Sequence, residues 1–134
     1  MKLLVLEDGS DEVGALVSEA ALVGSSRISF VECHAALART RREGRIRRAD
    51  MATARRRFDE RWSGLVIVEL DEPLGQSAAQ LCHDHPLRSA DAIHLASAAQ
   101  LAETEPDVRF ASWDRRLWEA AGVVGLTRVP ESFS

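Results

Sequence analysis

The chain has 134 residues, 46% of them hydrophobic, and a formal net charge of −4. That length suits one domain, and the apolar content is enough for a core without disulfide staples. No apolar run approaches the ~18 residues of a membrane span. The opening Met1–Asp8 lacks the length and cleavage pattern of a secretory leader, so a cytoplasmic location and no membrane partner are expected.

The predicted elements follow in chain order. Ser10 can cap an amphipathic segment carrying Val13, Leu16 and Val17. Ala21 to Ser25 is a short apolar run ending in small polar residues, the pattern of a buried strand. A helix then begins at Ser26 or Arg27, with Ile28, Val31, Ala35 and Ala38 on one face, and stops near Gly44. A second helix is predicted from about Ala49 to Trp62, with a stripe of Met51, Ala54, Phe58 and Trp62.

Leu65–Val68 reads as a buried strand between turn signals, and Pro73 to His83 as a helix closed by Pro86. Ser89 to Leu101 is apolar nearly all round, which places that helix in the centre of a fold. Val108–Ala111 is the next strand, Asp114 opens a short helix through Ala121, and Val123 to Val129 supplies an edge strand. Strands separated by helices predict an α/β fold with a mainly parallel central sheet and helices on both faces. Residues 130–134 read as a loose tail.

Charge is unevenly placed. Lys2 is the only lysine, and ten arginines fall between Arg39 and Arg61, opposed by Glu43, Asp50, Asp59 and Glu60. The segment is either a phosphate- or acid-binding surface or an ordinary solvated helical pair. Cys33 and Cys82 read as free, largely buried thiols, although sequence leaves a disulfide open. Cys82-His83-Asp84-His85 is the only stretch with any zinc-like composition, and its place at a helix end before Pro86 argues against a site.

Three acids sit where a purely structural sequence has little need of them. Glu32 falls inside the apolar stripe of its helix, as a rim residue, an Arg partner or a ligand. Asp91 lies in the first turn of the central helix, where the helix dipole alone would favour it. Asp114 follows a strand and precedes a helix, an N-cap position that is also the carboxyl end of a parallel strand. Together they suggest oxygen ligands for Mg²⁺ or Mn²⁺, and metal held by carboxylates supplies the charge stabilisation and activated water that phosphodiester cleavage needs.

At these residues the chain resembles the PIN-domain family, in its VapC-type toxin branch. The stretch Leu87-Arg88-Ser89-Ala90-Asp91-Ala92-Ile93-His94-Leu95-Ala96-Ser97-Ala98 carries the specific match. Ser25-Ser26-Arg27-Ile28-Ser29-Phe30-Val31-Glu32 and Phe110-Ala111-Ser112-Trp113-Asp114-Arg115-Arg116-Leu117 carry moderate ones. The resemblance implies a three-layer α/β/α PIN-like domain and a Mg²⁺- or Mn²⁺-dependent endoribonuclease toxin of a type II toxin–antitoxin pair. It implies Glu32, Asp91 and Asp114 as catalytic and metal-binding acids, and Arg88 and Ser112 as substrate contacts. Arg88 and His94 stand at motif positions without an assigned catalytic role. An RNA substrate, a cognate antitoxin and a homodimer are the implied partners.

The family opens with a strand ending in its first acid. Here Met1 to Ser10 resembles the helix that follows that strand, so the first strand and first acid are expected upstream of Met1 and the chain is expected to be N-terminally truncated. On that expectation the alternative function is a catalytically silent module that binds RNA or antitoxin. A competing local reading makes Leu3 to Leu6 the first strand and Asp8 the first acid. A phospho-receiver domain also opens in that way, but no lysine follows Lys2 to complete one.

Overall fold

A computed structural model describes residues 3–6 and 22–133 of the chain. In chain order the described elements are β1 (Leu3–Leu6), β2 (Leu22–Ser26), α1 (Arg27–Arg42), α2 (Arg48–Trp62), β3 (Val66–Val68) and α3 (Glu72–Asp84). They continue with α4 (Ser89–Thr104), β4 (Val108–Ala111), α5 (Arg115–Val123) and β5 (Thr127–Val129). The strands form one five-stranded sheet in the order β3-β2-β1-β4-β5, and every pairing is parallel.

The connections dictate three layers. From β2 to β3 the chain moves one way across the sheet; from β3 to β4 it crosses back the other way. Crossovers share one hand, so α1–α2 fall on one face and α3–α4 on the opposite one. The chain from β4 to β5 moves as β3 to β4 does, which puts α5 beside α4. The core on that face agrees: Leu95, Ala98, Val108, Phe110, Leu117 and Ala121 form one buried cluster, continued by Val68, Leu74, Ala78, Ala92 and Ala96.

Local chemistry sets the element ends. Asp71 caps α3 by accepting from the Leu74 N–H at 3.0 Å, and Pro73 fits the first turn because its missing N–H would have no helical partner there. Gly44 follows α1 with φ +70°, a conformation open to glycine, and its N–H donates to the Arg41 carbonyl. α4 buries Ala92, His94, Leu95, Ala96, Ser97 and Ala98, the central helix expected of its all-round apolar sequence.

Several expectations are corrected. Leu3–Leu6 is the middle strand of the sheet, hydrogen-bonded to β2 on one side and β4 on the other. The reading of that segment as a helix is corrected to a strand. Asp8 and the cap at Ser10 lie outside the described residues.

On α1 half of the expected stripe faces outward. Val31 is 63% exposed and Ala35 is exposed, while the inner face is made by Phe30, His34, Leu37 and Ala38. Phe30 and His34, one turn apart, meet Phe58 and Trp62 of α2 with ring centroids 5.0 to 5.8 Å apart. Cys33 and Cys82 are free but exposed. Residues beyond β5 are fastened to α5: Trp118 Nε1 donates to the Pro130 carbonyl at 2.6 Å and Phe133 packs on the Trp118 ring. Among the described residues no helix is long and apolar enough to cross a membrane.

Candidate functional site at the carboxyl edge of the sheet

Open parallel sheets place ligands beyond the carboxyl ends of the strands, at the point where neighbouring connections leave in opposite directions. Here that point lies between β1 and β4. The chain leaves β1 toward β2 and leaves β4 toward β5. The register brings Val5 level with Gly24 of β2 and Phe110 of β4. Ser26 and Ser112, each two residues further on, therefore flank the central strand at one level. Both are buried, at 1% and 0% exposure.

Asp114 stands three residues beyond β4 and caps α5. Its Oδ1 accepts from the Arg116 N–H at 2.9 Å and the Leu117 N–H at 3.3 Å. Its own N–H donates to the Ser112 hydroxyl at 3.2 Å, so the buried serine fixes the turn that presents the acid. Oδ2 takes no partner among the described residues.

Asp91 is in the first turn of α4. That helix ends at Thr104, and β4 begins at Val108, at the amino edge of the sheet. Sixteen residues of helix span about 24 Å, which carries Asp91 back to the carboxyl edge. Asp91 Oδ2 accepts from the Arg88 N–H at 3.3 Å. The reciprocal half of a capping box is not made, since an arginine side chain has no acceptor. Arg88 itself is 87% exposed, with Nε 3.9 Å from Asp91 Oδ2.

Glu32, in the second turn of α1, is 47% exposed and not inside a buried stripe. It is nonetheless tied to the central helix. His94, 4% exposed and one turn after Asp91, sets Nε2 2.8 Å from Glu32 Oε1. The other ring nitrogen, Nδ1, lies 3.0 Å from the Ser26 hydroxyl. The structure thus joins Glu32 to the helix of Asp91, while Asp114 makes no hydrogen bond or ion pair with either. Sequence reasoning gave His94 no role. Its signal was a histidine in an otherwise apolar helix, and its partners are 62 and 68 residues away in the chain.

The donor chemistry at this edge is all oxygen: carboxylates from Glu32, Asp91 and Asp114 beside serine hydroxyls. Hard divalent cations take such donors, and Mg²⁺ is commonly held by one or two carboxylates plus waters and substrate phosphate, not by a closed protein cage. The arrangement fits that open mode. Among the described residues no three His, Cys, Asp or Glu side chains are grouped so as to hold a metal ion, and Glu32, Asp91 and Asp114 are no exception.

A second region is distinguished by charge. A groove of about 520 Å³ between α1 and α2 has Leu37, Ala38 and Met51 along it and Arg41, Arg42 and Arg55 around it. It does not touch the acids, whose position follows from strand ends and not from cavity size. Arg45 is paired with Glu43, and Arg47 with Asp50 at 3.4 Å.

Comparison with known proteins agrees with this fold. The PIN-domain family profile matches residues 3–122. Ribonuclease VapC45 of Mycobacterium tuberculosis is 38% identical over 130 residues, covering 97% of this chain and 89% of the relative. Among solved structures, FitAcB from Neisseria gonorrhoeae superposes with a TM-score of 0.67 at 17% identity, covering 93% of this chain and 95% of that one. A toxin–antitoxin complex from Klebsiella pneumoniae gives a TM-score of 0.59 at 17% identity, covering 100% of this chain and 97% of that one.

Proposed function

Because the chain belongs to the PIN-domain family, in its VapC-type branch, we propose that it is the ribonuclease toxin of a toxin–antitoxin pair and cleaves RNA with the help of Mg²⁺ or Mn²⁺. The observation that carries this reading is the placement of Asp91, Asp114 and Glu32 at the carboxyl edge around the β1/β4 switch point. The name of the M. tuberculosis relative supports the ribonuclease assignment, and the K. pneumoniae complex supports an antitoxin partner.

Each residue then has a task. Asp91 and Asp114 offer carboxylate oxygens to the cation from two rigid helix starts, and Glu32 offers one from α1. A bound cation would supply charge stabilisation at the scissile phosphate and lower the pKa of an attacking water. Ser112 holds the Asp114 turn, so its contribution to substrate runs through that acid. Arg88, exposed beside Asp91, reaches outward to RNA phosphate. Asp8, two residues beyond β1, is the proposed fourth acid. A silent module that binds RNA or antitoxin is the second reading, and the cleavage assay separates the two. A homodimer and a cytoplasmic location complete the proposal.

The test is cleavage of single-stranded RNA by purified protein with Mg²⁺, comparing Asp91→Ala, Asp114→Ala, Glu32→Gln and Asp8→Asn with the parent. Each is expected to lower the rate by on the order of a hundredfold or more, as loss of a transition-state charge stabiliser does. A folded Asp91→Ala protein that cuts as fast as the parent overturns the assignment.

A further inference from the structure

We propose that His94, braced by Ser26, is a positioning residue that donates from Nε2 to Glu32 and fixes which oxygen of that carboxylate faces a divalent cation. The inference rests on the reading of Glu32 as a cation ligand and adds a residue to it.

The argument starts from burial. His94 lies in the buried run of α4, 4% exposed, followed by Leu95 and Ala96. An imidazole there is costly unless both nitrogens are satisfied. Both are: Nδ1 at 3.0 Å from Ser26 Oγ, and Nε2 at 2.8 Å from Glu32 Oε1. A carboxylate only accepts, so the proton between His94 and Glu32 belongs to Nε2. That direction holds whichever way the Ser26 hydroxyl points.

Serine, histidine and carboxylate in a row have the composition of a hydrolytic triad, but the order of exposure is reversed. Ser26 is 1% exposed at the end of β2 and cannot meet a substrate, whereas Glu32 is the outermost member at 47%. The row therefore runs from the sheet outward. It fixes the ring on the strand end and the carboxylate on the ring. Oε1 is occupied by His94, and Oε2 has no partner among the described residues, which leaves one oxygen for a cation. Outer partners of this kind orient ligands and are worth about 10–100-fold in metal affinity.

A bland role competes with this one: the contact merely clasps α1 to α4. The two roles separate by titrating Mn²⁺ into the protein and counting free ion by electron paramagnetic resonance, with the thermal midpoint recorded for every variant. His94→Asn keeps a polar group toward Ser26 and withdraws the donor to Glu32. His94→Gln places an amide N–H near the position of Nε2. Glu32→Gln is the reference for loss of the carboxylate itself.

On the proposal, His94→Asn and Glu32→Gln each weaken Mn²⁺ binding by about 10–100-fold, and His94→Gln recovers most of the loss. If Glu32→Gln weakens binding but folded His94→Asn does not, the positioning role is wrong and the reading of Glu32 stands. If Glu32→Gln binds Mn²⁺ like the parent, that reading falls and takes this proposal with it. Equal losses in His94→Asn and His94→Gln, matched by equal falls in midpoint, identify a clasp only. Should His94→Asn not fold, Ser26→Ala answers in its place: a severalfold loss of affinity supports the brace, and parent-like binding overturns it.

Discussion

Helix α4 and the α1–α2 pair are built of opposite materials. α4 buries Ala92, His94, Leu95, Ala96, Ser97 and Ala98 against β4, α3 and α5. α1 has no fully buried residue, α2 has only Met51, and between them they carry nearly all the arginines of the Arg39–Arg61 segment. The first region is held by the non-directional loss of apolar surface from water. The second is held by half-buried rings meeting across a two-helix seam. The acids stand where the two regions meet: Asp91 starts α4, Glu32 sits on α1, and His94 ties them. A site at such a seam takes rigidity from one side and an accessible charged surface from the other.

The largest expected effect tests the first region. Leu95→Ala removes a side chain with 0% exposure from the centre of the core. Leu→Ala changes at such positions cost about 3–5 kcal/mol, a large share of the roughly 5–15 kcal/mol that holds a domain together. Urea denaturation should show the midpoint falling steeply with little change in slope. A cost under about 1 kcal/mol would mean that α4 is not the structural centre.

The next effect tests the seam. Phe58 touches Phe30, His34 and Trp62 but is only half-buried. Phe58→Ala should cost about 1–3 kcal/mol, below the full core value because part of the ring already faces water. If its cost equals that of Leu95→Ala, the contrast between the regions fails.

Much of this division is legible in the sequence, and where it is not the reasons are physical. α4 is readable because burial on every side leaves an apolar sequence with no polar face. β2 and β4 are readable as short apolar runs between turn residues. Asp91 and Asp114 stand out because helix starts and strand ends are marked by local chemistry. Leu3–Leu6 misleads because four consecutive apolar residues carry no period, and only hydrogen bonding to β2 and β4 makes them a strand. The α1 stripe misleads for a different reason. Val31 and Ala35 look like core, but the partner is an aromatic face, so Phe30 and His34 turn inward. The contacts of His94 are set by tertiary structure, beyond the reach of spacing along one helix.

The third effect sharpens what the Arg-rich surface is for. Charge reversal at Arg41, Arg42 and Arg45 touches exposed side chains, so stability should move by less than about 0.5 kcal/mol for each. Binding should respond far more. If the surface meets RNA phosphate, affinity falls across sequences and the salt dependence flattens by about one unit per lost contact. If it meets an acidic antitoxin segment, antitoxin binding weakens and RNA affinity holds. Unchanged binding of both removes the surface from recognition and leaves α1–α2 a solvated pair.

The smallest effect concerns the joint between the Arg-rich pair and the sheet. Arg27, the first residue of α1, donates from Nε to both carboxylate oxygens of Glu69, just past β3, at 3.0 and 3.1 Å. The hydrogen bond from Arg27, with its nearby charge, holds the Glu69 carboxyl below the ordinary carboxylate range. The sign follows from the lowered pKa. The contribution is fully present above the ordinary Glu value of about 4.3 and is lost as pH falls through the lower folded value. Both side chains are substantially exposed, so solvent and salt screen the pair and its effect is slight. Glu69→Gln should therefore show a thermal midpoint slightly below the parent from pH 5 to 8, by roughly one degree or less. The gap should close as the pH falls below the ordinary carboxylate range and the parent carboxylate is itself protonated. A difference that persists undiminished in acid would mean that Glu69 holds the joint by packing and not by charge.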